Sequence, residues 1–332
     1  LRTHPYFMTP WLSLLGGFGL LYIGAQTLIK GGTGLALRLG LTPLVIGLTV
    51  IAYGTSSPEM VVSLQAVLSG NGGISIGNVV GSNICNIALI LGLCSLVTPV
   101  TASSQIIRRE IPIMIAATVV LCAFLIDESL ARWEGAVLFL GAIVYTVTTV
   151  RAARKETAEI RTAASEFKSE IGQGEESAVK PLSMITAIGL TLLGLAVLVA
   201  GSHFFVGGAV TLAQGWGISQ TVIGLTIVAV GTSMPELATS LVAAVRKHSD
   251  VAIGNIVGSN IFNIVGILGL CALVHPISAP GISLVDLGLM LAIAVALLPL
   301  CKSGGRISRI EAGVLLVVYV GYTWWLIANN AG

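Results

Sequence analysis

The chain is predicted to be an all-α membrane protein in which ten transmembrane helices form two inverted-topology five-helix repeats. Three observations predict it. Hydrophobic residues make up 55% of the sequence and charged residues only 10%, with a mean hydropathy of +0.95, far too apolar for a water-soluble globule of ordinary composition. The apolar residues fall into ten stretches, near 11–29, 42–69, 77–99, 111–126, 134–150, 183–205, 219–245, 251–274, 284–301 and 310–327, to be compared with the roughly 17–25 residues that cross a bilayer as a helix. Finally, two segments of the first half recur in the second at one fixed offset of 177 residues, the mark of a duplication. The short alternating segments of a membrane β-barrel are missing from the sequence.

Taken in order, residues 1–150 hold the first five spans, 151–182 a polar linker, and 183–332 the second five. An odd number of spans per half means that the second half enters the bilayer from the opposite side, so the repeat is inverted. The segments 40–60 and 217–237 match at 12 of 21 positions, and Gly77–Ile87 matches Gly254–Ile264 at 9 of 11. The repeated motif regions are therefore 40–87 and 217–264, while the other spans have diverged. The linker has six basic and six acidic residues over 151–180, with Gly172-Gln173-Gly174 near its end. It reads as a solvated, partly helical tether, and no calcium-binding loop of alternating acidic ligands occurs in it.

Lysine and arginine set the orientation, because cationic loops stay on the cytoplasmic side. With both termini outside and the 151–182 linker cytoplasmic, 15 basic residues lie inside and only Arg2 and Arg132 outside. The small net charge of +2 gives no reason to expect nucleic acid as a partner. The partner that composition does require is the lipid bilayer. All five cysteines sit in or at the ends of apolar spans and none forms a CxxC pair, so they read as small core residues. The four histidines are scattered, without a ligand cluster. Residues 1–10 lack the pattern of a signal peptide. The short linker and the lack of a targeting segment lead us to expect a prokaryotic inner or plasma membrane.

The chemistry is concentrated in the repeats. Gly54-Thr55-Ser56-Ser57-Pro58-Glu59 and Gly231-Thr232-Ser233-Met234-Pro235-Glu236 each place a carboxylate inside a span. A charged side chain at midspan costs roughly 2.5–3.5 kcal/mol on insertion scales. Two carboxylates about 5 Å apart repel by about 3 kcal/mol at an effective dielectric near 20. No Lys or Arg in these spans neutralises them, so a bound cation, or protons when the cation leaves, must balance the pair. Pro58 and Pro235 withhold a backbone donor and disfavour helix just before them. A break is expected there, freeing the carbonyls of Ala52 to Ser56 and Ala229 to Ser233. Asn78, Ser82 and Asn86, and likewise Asn255, Ser259 and Asn263, recur every four residues and line one helix face. Gly77, Gly81, Gly254 and Gly258 form small-xxx-small patterns that admit close backbone approach. All the ligands on offer are hard oxygens, which suits sodium, calcium or magnesium. Calcium takes about six to eight oxygens, whereas magnesium demands a tighter octahedron.

At these residues the chain resembles the calcium/cation antiporter superfamily, whose two α-repeats each carry a GTSxPE and a GNxxGSN segment, and within it prokaryotic sodium/calcium exchanger-like proteins. The resemblance implies a sodium/calcium exchanger-like fold in which spans two, three, seven and eight form the core and spans one and six slide across it. It implies a central calcium position at Glu59 and Glu236 with backbone oxygens of Thr55 and Thr232. Flanking sodium positions fall on Ala52, Thr55, Ser56 and Ser82 toward one side and on Ala229, Thr232, Ser233 and Ser259 toward the other. Asn86 and Asn263 complete the middle. Some relatives carry Asp at one of those two places; here both are Asn, which removes a titratable group. The extra acidic ligand of potassium-dependent relatives is missing from these motifs, which argues against potassium co-transport.

The expected function is therefore secondary active antiport of Ca²⁺ against Na⁺ by alternating access, extruding calcium from the cytoplasm, with the two ions as substrates and with no cofactor or enzymatic reaction. A Ca²⁺/H⁺ antiporter using the same glutamates is the alternative. A cation channel with an acidic filter is disfavoured by the inverted halves and broken helices. An intramembrane hydrolase is disfavoured by the lack of a Ser/His pair or a metal-binding His cluster in the spans. The sequence identifies no protein partner.

Overall fold

The computed structural model describes residues 10–171, 182–217, 227, 229–278 and 283–330. Its first half comprises α1 (Pro10–Leu39), α2 (Pro43–Thr55), α3 (Ser57–Leu68), α4 (Gly72–Val97), α5 (Ile106–Asp127) and α6 (Arg132–Ile171). The second comprises α7 (Met184–Gly215), α8 (Ala229–Thr232), α9 (Met234–Val245), α10 (Ser249–Val274), α11 (Leu284–Lys302) and α12 (Arg309–Asn330). Helices α2 and α3 are one span bent by 46° around Ser56. Helices α8 and α9 repeat the interruption at Ser233, whereas 219–226 and 228 of the predicted seventh span lie outside the described residues. The described helices fit the expected inverted repeat of ten spans, with the seventh represented by its second part.

Three predicted helix ends shift, among them that of α7, which runs past 205 to Gly215. Helix α1 runs past the predicted end at 29, so Lys30 and Arg38 lie on a helix and not in a loop. Helix α6 continues from the predicted end at 150 through Ile171, into the predicted linker. Residues 151–171 contain no Gly or Pro and are rich in Ala, Glu, Arg and Lys, which favour helix. Gly172-Gln173-Gly174 and Lys180 lie outside the described residues.

Helices α1 and α7, of 30 and 32 residues, are about 45 and 48 Å long at 1.5 Å per residue, too long to stand upright within a hydrocarbon layer of about 30 Å. They pack on each other antiparallel through a glycine heptad. A Cβ on Gly17, Gly24 or Gly31 would lie 2.4–2.8 Å from the backbone of Phe205, Leu198 or Thr191. Their counterparts at the 177-residue offset, Gly194, Gly201 and Gly208, abut Leu28, Leu21 and Pro10 in the same way. Spacing by seven keeps one seam facing its partner along the whole crossing.

The pseudo-twofold extends to the smallest elements. Strand β1 (Val100–Thr101) pairs with β4 (Arg306–Ile307), and β2 (Ser129–Leu130) with β3 (Ile277–Ser278). Each ladder maps onto the other under the offset, and each ties one half to the other. Arg309 donates to the carbonyls of Leu96 and Val97 at the end of α4, and its counterpart Arg132 donates to Val274 at the end of α10. Arg132, one of the two basic residues outside the expected cytoplasmic set, therefore has a structural task as a helix cap.

The core lies where α4 and α10 cross. Within their most apolar windows these two spans are 78% and 83% buried, against 11% for α12, so the centre of the molecule is built from the repeated motifs. Gly254 and Gly258 of α10 meet the backbone of Leu44 and Leu48 of α2, as their spacing predicts. The equivalent partners of Gly77 and Gly81 fall at 221 and 225, outside the described residues.

Candidate cation site

The two broken spans bring Glu59 and Glu236 to the centre, each 1% exposed. They are joined by a reciprocal exchange across the halves. Ser56 Oγ donates to Glu236 Oε1 at 2.8 Å and Ser233 Oγ to Glu59 Oε1 at 3.0 Å. Each hydroxyl comes from the residue at the break of one repeat and ends on the glutamate of the other, so the pair cannot form unless the halves are antiparallel. The second oxygen of each carboxyl, Oε2, is buried without a partner, as are Oδ1 of Asn86 and Oδ1 of Asn263. Four acceptor oxygens, two from each repeat, are thus left without a donor. A buried acceptor without a partner costs about 1–3 kcal/mol, more for a charged one.

The remaining predicted residues lie on the same broken spans and on α4 and α10. Ser82 is 3% exposed and Ser259 fully buried; Ser233 Oγ lies 3.4 Å from Ser82 Oγ, and Ser259 Oγ donates to the Ala52 carbonyl at 3.5 Å. Thr55, 1% exposed, lies 3.2 Å from Asn255 Oδ1. Thr232 lines a cavity of about 340 Å³ with Pro58, Val199, Ser202, His203 and Gly231. Ala229 begins α8; its side chain is outside the described set.

The expected release of carbonyls is narrower in the structure. Ala52 O accepts the Ser56 N–H at 3.0 Å and Ser56 O the Met60 N–H at 3.1 Å; in the second repeat Val230 O accepts from Ser233 and Ser233 O from Leu237. The Gly54 and Gly231 carbonyls are taken by the hydroxyls of Ser57 and Ser202. The helix resumes after a single residue at each break, so the ladder is nearly restored. A carbonyl has two lone pairs, so these bonds still leave one free on each oxygen.

Asn78 and Asn255, the first members of the predicted stripes, serve as anchors. Asn78 Nδ2 donates to the main-chain oxygen of Glu59 at 3.2 Å and to Ser63 Oγ at 3.0 Å; Asn255 does the same with Glu236 and Ser240 at 3.5 and 2.9 Å. They clamp the glutamate-bearing helices onto α4 and α10. Asn86 and Asn263 lie in π-helical segments, Cys85–Leu91 and Phe262–Leu268, a local widening that often marks functional sites. Sequence reasoning missed Tyr53, which stacks on Phe262 with centroids 4.1 Å apart and reaches Thr146 at 2.6 Å, fixing the first break against α6. It also passed over Asn83 and Asn260, although both stand inside the repeated Gly-Ser-Asn. Among the described residues no group of three or more His, Cys, Asp or Glu is placed to hold a metal, so any cation here relies on two carboxylates and neutral oxygens.

A buried, twofold-related set of acceptor oxygens between broken helices of an inverted repeat defines an integral-membrane cation transporter. The chain belongs to the sodium/calcium exchanger family within the calcium/cation antiporter superfamily. The family profile described as "Sodium/calcium exchanger protein" matches residues 9–151 and again 186–328, the same offset once more. A putative antiporter, CaxA, of Alkalimonas amylolytica is 38% identical, covering 95% of this chain and 98% of its own length. The sodium/calcium exchanger MaX1 of Methanosarcina acetivorans is 34% identical over 94% of this chain and 97% of its own. Among solved structures, the sodium-calcium exchanger NCX_Mj soaked with Na⁺ and Ca²⁺ superposes with a TM-score of 0.78 at 31% identity, covering 94% of this chain and 97% of that one. Family membership makes this chain a membrane cation antiporter rather than an enzyme, with Ca²⁺ and Na⁺ as the family's substrates.

Proposed function

We propose that the protein exchanges Ca²⁺ for Na⁺ through one central site that opens alternately to the two sides of the membrane. The observation that carries this reading is the set of four partnerless buried oxygens, on Glu59, Glu236, Asn86 and Asn263. Two carboxylates match the charge of one divalent ion, and amide and main-chain oxygens raise the number of ligands toward the six to eight that calcium takes. In the proposed set Glu59 and Glu236 hold calcium with the backbone oxygens of Thr55 and Thr232, and Asn86 and Asn263 close the middle. Sodium takes Ala52, Thr55, Ser56 and Ser82 on one side and Ala229, Thr232, Ser233 and Ser259 on the other. Shared ligands make the two ions exclude each other, which is the requirement of antiport.

The packing supports an outward-open state. On the inner side α1 lies along α9, and Leu195 of α7 covers Gly54. The equivalent pairing on the outer side, α7 along α3, is far looser, although Ser202 and Val206 of α7 still reach Gly231 of the second break. "Outer" here follows the basic-residue asymmetry, with both termini outside and 151–182 in the cytoplasm. The glycine seam between α1 and α7 makes them one body, suited to slide across the core. With sodium entering down its gradient, calcium leaves the cytoplasm, and the short linker fits a prokaryotic inner or plasma membrane.

Proton coupling is the second reading: with neutral Asn at both 86 and 263, the buried Glu59 and Glu236 are the groups of the proposed site that could carry protons. Radiolabelled calcium flux in proteoliposomes, with sodium, proton and potassium gradients imposed one at a time, separates the two. Flux driven by sodium alone is expected; flux that needs only a proton gradient would transfer the role to H⁺.

A further inference from the structure

Asn83 and Asn260 are not among the proposed ligands, yet they occupy the axis of the molecule. They are equivalent under the 177-residue offset and touch each other: Asn83 Nδ2 donates to the Asn260 carbonyl at 3.2 Å. The pseudo-twofold axis therefore passes between them. A symmetric arrangement would return that bond from Asn260. Instead Asn260 Nδ2 turns back to the carbonyl of Ile256 in its own helix at 2.7 Å, and its Oδ1 is left without a partner in a residue 1% exposed.

The asymmetry reaches the site. Asn83 Oδ1 accepts a hydrogen bond from Asn263 Nδ2 at 3.0 Å. Because the amide is planar with donor and acceptor on opposite arms, that bond fixes the direction of Asn263 Oδ1, one of the four free oxygens. The mate of Asn263 is Asn86, and the acceptor that would orient it in the same way is Asn260 Oδ1. That is the oxygen standing free.

We propose that Asn83 and Asn260 are positioning residues that take turns, each orienting one site asparagine in one of the two access states. In the state described, Asn83 orients Asn263. When the halves exchange roles, Asn260 releases Ile256 and orients Asn86, while Asn83 turns back to the carbonyl of Val79, the counterpart of Ile256. The site then offers a differently braced amide to each side of the membrane. This rests on the alternating-access reading above.

The test is apparent calcium affinity measured from each side in oriented vesicles. Asn83→Ala weakens it from the outer side by roughly three- to tenfold, the effect of losing one buried hydrogen bond, with little change from the inner side. Asn260→Ala gives the mirror image. In an Asn263→Ala background, Asn83→Ala has no further effect on the outer side, because the bond it removes is already gone. Equal weakening from both sides by either variant, or full additivity with Asn263→Ala, would overturn the inference. Thermal unfolding in detergent verifies that each variant is folded; if Asn83→Ala is not, the inner-only effect of Asn260→Ala decides alone. Wild-type vesicles without calcium flux would overturn the transport reading and this inference with it, whereas normal flux with unsided variants overturns this inference only.

Discussion

Ser56 and Ser233 each donate to the glutamate of the opposite repeat, and those two bonds hold one oxygen of each carboxyl while the other has no partner. Ser56→Ala or Ser233→Ala should therefore preserve the fold and weaken calcium binding by roughly three- to tenfold, the worth of one hydrogen bond to a buried acceptor. Isothermal titration on purified protein measures it; unchanged affinity in both variants would mean that the hydroxyls do not set the carboxyl geometry. At this scale the glutamates were legible in the sequence, because a charge inside an apolar span is conspicuous and its exact repetition at one offset doubles the signal. The roles of Asn78, Asn83, Asn255 and Asn260 were not. A spacing of four groups Asn78 with Asn86, but only the fold reveals that Asn78 clamps a backbone while Asn83, off the stripe, braces the site.

Among the elements, the glycine heptad of α1 and α7 binds the two long helices into one body. Gly24→Leu and Gly201→Leu insert side chains where a Cβ already has no room, and overpacking of this kind costs about 1–3 kcal/mol or more. Gly19→Leu, on the same helix with open space around its Cβ position, should be tolerated. Thermal unfolding of the three variants tests the contrast, and an equal effect of Gly19→Leu would contradict the seam. Hydropathy located these spans but could not show the seam, because glycine spaced by seven barely alters an apolar average. The same method ended span five at 150: charged residues mark the membrane boundary, whereas helix propensity carries α6 on to Ile171. The breaks were foreseen from Pro58 and Pro235, but the number of freed carbonyls was overestimated because serine hydroxyls and the resumed helix take most of them up.

For the molecule as a whole, the inverted repeat accounts for the placement of nearly every special feature, including Arg132, which caps α10 as Arg309 caps α4. It predicts opposite labelling for two single cysteines added to a cysteine-free background. Glu128→Cys reacts with a membrane-impermeant maleimide in intact cells, and Arg154→Cys only after permeabilisation; the reverse pattern would invert the molecule in the membrane and make the open side the inner one. The central claim is that Glu59 and Glu236 together carry one calcium ion in exchange for sodium. Its most direct test is sodium-driven radiolabelled calcium flux into proteoliposomes containing Glu59→Gln or Glu236→Gln, which keep the size of the side chain and remove its charge. Flux falls to the level of protein-free liposomes in both variants on this account, and near-normal flux in either one would contradict it.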